Sequence, residues 1–264
     1  MDKKNTLSFA LSYDELIVLL QYFKRPEMPG LNTAPLQELS EQERKMMITV
    51  AERALLARGF LVIGGNSKLK MIDPVIALVG PCIESEKTLI VKFDSMYTPN
   101  QSIFFHTARK MRVMHSTPIS GIHQFIAVED DKAFLQSILV LSQIGDYKKT
   151  PCENGKIRLD AFEAIRAKSQ EAGENRTAQS LIDIGLSQTT ANLLVKCLAS
   201  PIAYITFDYN NQSLNIVEGF SIFIGNNTVW LFEPSDQDGN FSVSTSSSDE
   251  IITRIKKLIT QTNP

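Results

Sequence analysis

The chain has 264 residues, 43% of them hydrophobic and 21% charged, which leaves room for one large domain or two of ordinary size around an ample core. A net charge of −2 and an isoelectric point near 6.0 give nucleic acid no long-range attraction. No apolar run approaches the roughly 18–20 residues a bilayer span needs. The start, Met1-Asp2-Lys3-Lys4-Asn5 followed by Leu7-Ser8-Phe9-Ala10-Leu11, turns polar too soon for a signal peptide, so a cytoplasmic, non-membrane protein is expected. Cys82, Cys152 and Cys197 are scattered, with no CxxC spacing, and suggest neither a disulfide framework nor a zinc knuckle.

Ser12-Tyr13-Asp14-Glu15 reads as a capping box, followed by the apolar stripe Leu16, Leu19, Leu20 and Phe23 of a short helix. Arg25-Pro26-Glu27-Met28-Pro29-Gly30 stops it. Ser40-Glu41-Gln42-Glu43 is a second capping box, opening a helix to about Arg58 with Met47, Val50, Ala51 and Ala54 on one face and Gly59 as its C′ residue. Residues 60–63 are apolar, Gly64-Gly65-Asn66-Ser67 turns, and Asp73-Pro74 opens another short helix. The period then becomes strand-like over 87–94, 102–109, 111–116 and 121–128, before a helix over 131–144 with Phe134, Leu135, Ile138 and Leu141 inward.

Residues 146–157 carry Lys148-Lys149, Pro151 and Asn154-Gly155 with almost nothing apolar, a linker pattern dividing an N-terminal half, 1–145, from a C-terminal half, 158–264. Helices are expected over 159–172, 177–185 and 188–198, and strands over 201–208, 214–224, 227–233 and 240–245. Asn226-Asn227 after Gly225 signals a tight hairpin, and Ser246-Ser247-Ser248-Asp249 caps a last helix with Ile251, Ile252, Ile255, Leu258 and Ile259 as its stripe.

The two halves echo each other. Phe93-Asp94 returns 114 residues later as Phe207-Asp208, Ser102-Ile103-Phe104 returns as Ser221-Ile222-Phe223, and each strand block is followed by an amphipathic helix. Consecutive strands joined by short turns argue for antiparallel pairing. The expected class is therefore α+β, built as pseudo-two-fold duplicated units that make one compact domain.

Motifs for chemistry are weak. Gly64-Gly65-Asn66-Ser67-Lys68 lacks the glycine before lysine that a phosphate loop requires. Asp236-Gln237-Asp238-Gly239-Asn240 has its glycine too early for a calcium loop and reads as a hairpin. Serines near His115 and His123 lie in no G-x-S-x-G context. Only His106, His115 and His123 are histidines, all within one strand-rich stretch; a metal would need them to share a face and converge, and half-exposed sheet positions are the simpler expectation. Trp230 sits in an alternating strand as core or interface. No catalytic, cofactor-binding or metal-binding residue is assigned. The helix over 41–58 with Arg58-Gly59-Phe60-Leu61 resembles the end of a winged-helix unit, but Arg44, Lys45, Arg53 and Arg58 are balanced by Glu41, Glu43 and Glu52, which disfavours DNA.

Taken together, Leu-Ser-Tyr-Asp-Glu-Leu at 11–16, Ala-Leu-Leu-Ala-Arg-Gly-Phe-Leu at 54–61, the Asp73-Pro74 helix and the repeated strand blocks resemble the EspG family, cytosolic chaperones of type VII secretion systems. The chain is richer in Lys, Asn, Ser and Ile than the usual members, and no client-binding residue carries over. The resemblance implies a non-enzymatic protein that holds an apolar, helical secretion substrate soluble and needs no cofactor, with the regions 109–121 and 233–240 as expected contacts. A protein partner and a monomer are expected; the alternatives are a winged-helix regulator that binds DNA or senses a ligand, and an enzyme using the histidine region.

Overall fold

The computed structural model describes residues 6–95, 101–108, 110–142, 144–211, 216–236 and 239–260. The chain divides into two compact units. Unit 1 comprises Met1–Ile90, Ser102–Phe134 and Asn210–Asn215; unit 2 comprises Val91–Gln101, Leu135–Tyr209 and Ile216–Pro264.

Unit 1 opens with β1 (Ser8–Ser12), α1 (Tyr13–Phe23), α2 (Glu41–Ala57), the hairpin strands β2 (Leu61–Ile63) and β3 (Leu69–Met71), and α3 (Asp73–Ile83). It continues through the start of β4 (Lys87–Ser95), whose residues from Val91 onward belong to unit 2, then β5 (Gln101–Ala108), β6 (Met111–Ile119), β7 (Ile122–Ala127) and the start of α4 (Asp131–Ser142). Its strand order is β1-β7-β6-β5-β4, and the register sets Phe9 opposite Phe125, His115 opposite Phe125, and Phe104 opposite His115. Alternation therefore puts Phe9, Leu11, Phe104, His106, Val113, His115, His123 and Phe125 on one face. That face meets the helical layer, in a core with Leu16, Leu19 and Leu20 of α1, Ala51 and Leu55 of α2, and Val75, Leu78 and Val79 of α3. The opposite face receives α4, where Phe134 packs edge-on to Phe105 and Asp131 pairs with Arg112.

Unit 2 repeats the plan. β8 (Gly155–Arg158), α5 (Leu159–Ala172), α6 (Glu174–Asp183) and α7 (Gln188–Ala199) precede β9 (Pro201–Asn211), β10 (Ile216–Gly225), β11 (Thr228–Pro234), β12 (Asn240–Ser246) and α8 (Ser248–Thr260). The order β9-β10-β11-β12-β8 matches that of unit 1: in both, the strand before the helices returns to pair antiparallel with the last strand of the meander. The helical layer α5–α7 covers Phe223, Trp230, Phe232 and Val243, while α8 lies on the other face with Arg254 paired to Glu233 and Lys257 to Glu218. The echo between Ser102-Ile103-Phe104 and Ser221-Ile222-Phe223 is thus structural, because Phe104 and Phe223 both point from the second meander strand to the helical layer.

Local signals act as the sequence predicts. Ser12 and Ser40 each accept from the amide three residues on, and Glu15 and Glu43 reach back, closing both capping boxes. α2 ends with Gly59 at φ 71°; its amide donates to the Leu56 carbonyl and that of Phe60 to Leu55, the paired bonds of a Schellman stop. Asn226 and Asn227, at φ 46° and 55°, form the two-residue turn between β10 and β11.

Three features differ from expectation. β1 and β8 are strands, and β8 takes up the end of the linker-like stretch. On α2 the buried positions are Ala51 and Leu55, whereas Val50 is 59% exposed. On α4, Phe134 and Ile138 are buried, whereas Leu141, expected inward, is 37% exposed.

Candidate functional site

The three histidines are buried, not half-exposed. Register on β5, β6 and β7 brings them to one face, where the His115 ring stacks between neighbours: 4.8 Å from Phe125, 5.4 Å from Phe104, 5.2 Å from His123 and 5.8 Å from His106. His115 Nε2 and His123 Nδ1 share a hydrogen bond of 2.9 Å. His106 Nδ1 lies 3.1 Å from the Thr88 hydroxyl, which in turn meets Ser85 Oγ at 2.9 Å. Burial pushes the His106 imidazole down to about 3; it also lowers His115 well below the usual value, helped by His106 and His123, and lowers His123. These imidazoles are neutral near pH 7. Among the described residues no group of His, Cys, Asp and Glu is arranged to hold a metal ion.

A second polar cluster lies in unit 2. A cavity of about 270 Å³ is lined by Asp94, Arg166, Ile202, Tyr204 and Phe223 among others. Arg166 donates to Asp94 at 2.8 Å and to Glu163 at 2.9 Å, and its guanidinium lies 4.8 Å above the Tyr204 ring. Burial raises the Tyr204 phenol to about 12. Beside it Lys92 pairs with Asp208 at 2.7 Å. Arg166 is matched by two carboxylates and an aromatic face, and a phenol with so high a pKa is no base at neutral pH. The cluster is an ion-pair lock between α5 and the strands of unit 2, without an activated nucleophile.

The regions 109–121 and 233–240 are described apart from Arg109 and residues 237–238. β6 runs through the first from Met111 to Ile119, with Ile119 exposed next to Pro118 where the register with β7 shifts. In the second, Asp236 accepts from the Asn240 amide and side chain and pairs with Lys156. This is the expected hairpin; its residues 237–238 lie outside the described residues.

Besides Ile119, at 68% exposure, the large apolar side chains of unit 1 that stand furthest in solvent sit on α2 and β2. On α2, Met46 and Val50 are one turn apart and 61% and 59% exposed; on β2, Ile63 is 72% exposed and Val62, on the other face of the strand, is 43% exposed. Gly59 and Phe60 join the two elements, and among the described residues β2 pairs with β3 alone, in a two-stranded sheet. Composition alone does not reveal these exposed positions, since Val50 fits the helical stripe and residues 60–63 are simply apolar. Three of the four cations that could have served a DNA-reading helix are engaged: Arg58 with Glu15, Lys45 with Glu41, and Arg44 with the Leu36 carbonyl.

Comparison with known proteins bears on family and fold. A family model described as "Uncharacterised protein YfjC" matches residues 8–255. No curated protein sequence gives a match. Among solved structures, the chain is similar to the Mycobacterium tuberculosis type VII secretion system chaperone EspG5, solved in complex with a PE25-PPE41 dimer. The TM-score is 0.63 at 11% sequence identity, over 97% of each chain. At that identity the likeness is one of fold, and the α+β class with antiparallel sheet flanked by helices is the shared feature.

Proposed function

The chain belongs to the YfjC family, and we propose that it acts by binding another protein, as a cytoplasmic, monomeric chaperone or adaptor that shields an apolar surface of a helical secretion substrate. One observation carries this reading: Met46, Val50, Val62 and Ile63 stand in solvent although the same unit has a full core to bury apolar side chains in. Apolar surface kept exposed on α2 and β2 has a use when a partner covers it. The fold shared with a chaperone that holds a protein dimer supports the same conclusion, as does the engaged state of the polar clusters. EspG-like handling of helical-hairpin clients, whose apolar anchors recur at helical spacing, is the specific form proposed.

The test is co-purification from the native host with the intact chain and with a Val50→Asp, Ile63→Asp variant as baits, followed by mass spectrometry. A small helical protein, or a pair of them, should accompany the parent chain and fall at least about tenfold with the variant, the change expected from about 1.4 kcal/mol of lost contact. Unchanged circular dichroism would show that the variant still folds. Recovery of duplex DNA alone, or equal recovery of one partner by both baits, would overturn the reading.

A further inference from the structure

The histidine column of unit 1 has a construction that neither catalysis nor the proposed partner surface uses. Three imidazoles from three adjacent strands stack on the sheet face that carries α1–α3, with Phe104 and Phe125 in the same stack. The 2.9 Å bond between His115 Nε2 and His123 Nδ1 needs one nitrogen with a proton and one without. Protonating both facing nitrogens sets two donors against each other and puts two cations within 5.2 Å, ring to ring. His106 Nε2 is buried with no hydrogen-bond partner among the described residues, so a proton added there also meets no acceptor.

The ionisable groups brought by the packed elements do not offset this: on α2, Glu52 accepts from the Tyr22 hydroxyl, Glu43 accepts from the Ser40 amide and Glu41 pairs with Lys45. On α1, Asp14 is exposed, Glu15 is taken by Arg58, and the Tyr13 hydroxyl donates to the Asn32 carbonyl. On α3, Asp73 lies at the exposed start and the Cys82 thiol donates to the Leu78 carbonyl. β4 contributes the Thr88 hydroxyl to His106. His115 Nδ1 is buried with no hydrogen-bond partner among the described residues, and the nearby Pro29 backbone, between α1 and α2, only partly counters the burial that disfavours its proton.

We propose that this imidazole column is an acid-triggered latch: neutral, it seats the α1–α3 layer on the sheet of unit 1, and protonated, it releases that layer. The lowered proton affinity of all three rings agrees with the geometry. The sign follows from the unfolded chain binding these protons first. The contribution is complete above the unfolded pKa of about 6.5 and is lost as pH falls toward the folded values, by up to about tenfold in the folding constant per pH unit for each ring. The helical layer of unit 2 packs on Phe223, Trp230, Phe232 and Val243 and contains no histidine, which makes it an internal control.

The experiment is hydrogen exchange of the full chain, without partner, from pH 7.5 to 4, corrected for the intrinsic pH dependence of exchange. Peptides of α1–α3 should lose protection below about pH 6 while those of α5–α7 keep theirs. In a His115→Phe, His123→Leu double variant, which leaves neither polar partner orphaned, the midpoint should move down by at least about one pH unit. An unchanged midpoint, or equal loss in both helical layers, would overturn the proposal. Should the double variant not fold, proton NMR of the parent chain decides: a His115 or His123 resonance titrating between pH 6 and 7 in an intact structure refutes the latch, and resonances silent until α1–α3 open support it.

Discussion

At the scale of single residues, Arg58 does more than end a helix. It donates to both oxygens of Glu15 and to the Ala10 carbonyl, and it lies 4.5 Å over the Phe60 ring. The Glu15 side chain is only 4% exposed, so removing Arg58 strands a carboxylate in the core that α1 shares with α2. Breaking a fully buried pair costs roughly 3–5 kcal/mol. Arg58 itself is 41% exposed, so Arg58→Ala is expected to cost less, about 2 kcal/mol in urea unfolding, with Glu15→Gln, Arg58→Ala together recovering part of the loss. The neighbouring Gly59 isolates a backbone effect. Its φ is 71°, and a methyl group added at its Cα would meet nothing within 4 Å among the described residues. Gly59→Ala should therefore cost about 1 kcal/mol from conformation alone. A loss much above that in the same urea titration would place a contact where none is seen.

At the scale of elements, caps and stops were legible because they are local. The two serine boxes, Gly59 and the Asn226-Asn227 turn each depend on neighbours within a few residues. Ser40→Ala, at an exposed start of α2, is accordingly expected to lower stability by about 1 kcal/mol and to reduce helicity by circular dichroism. β1 and β8 were not legible. Each is short, and its pairing partner lies far along the chain, Phe9 with Phe125 and Ile157 with Phe241, so no local period marks it. The histidines were hidden for the same reason. His106, His115 and His123 share a face only because the β5–β6 and β6–β7 registers place Phe104 and Phe125 opposite His115, and a slip of one residue would send them to opposite sides. The exposure of Val50 and Ile63 has no sequence signal, because periodicity predicts which residues could be buried, not whether another layer arrives to bury them.

At the scale of the whole molecule, the duplication has an energetic consequence. The apolar core around α1–α3 and the one around α5–α7 share no residue, although the same topology organises both. Val75 and Val195 are buried helix residues, one in each core. Truncating either to alanine loses two methyl groups and leaves a small void, partly offset by the better helix propensity of alanine, for an expected cost of about 2 kcal/mol each. With no shared partner, the two losses should add, and the Val75→Ala, Val195→Ala double variant should match their sum within about 0.5 kcal/mol in equilibrium urea unfolding. A larger departure would mean that repacking one core is felt by the other, and that the repeated halves have evolved into a single energetic unit. Additivity would instead mark each core as packing independently, which suits a molecule in which one core carries a titratable histidine column and the other carries none.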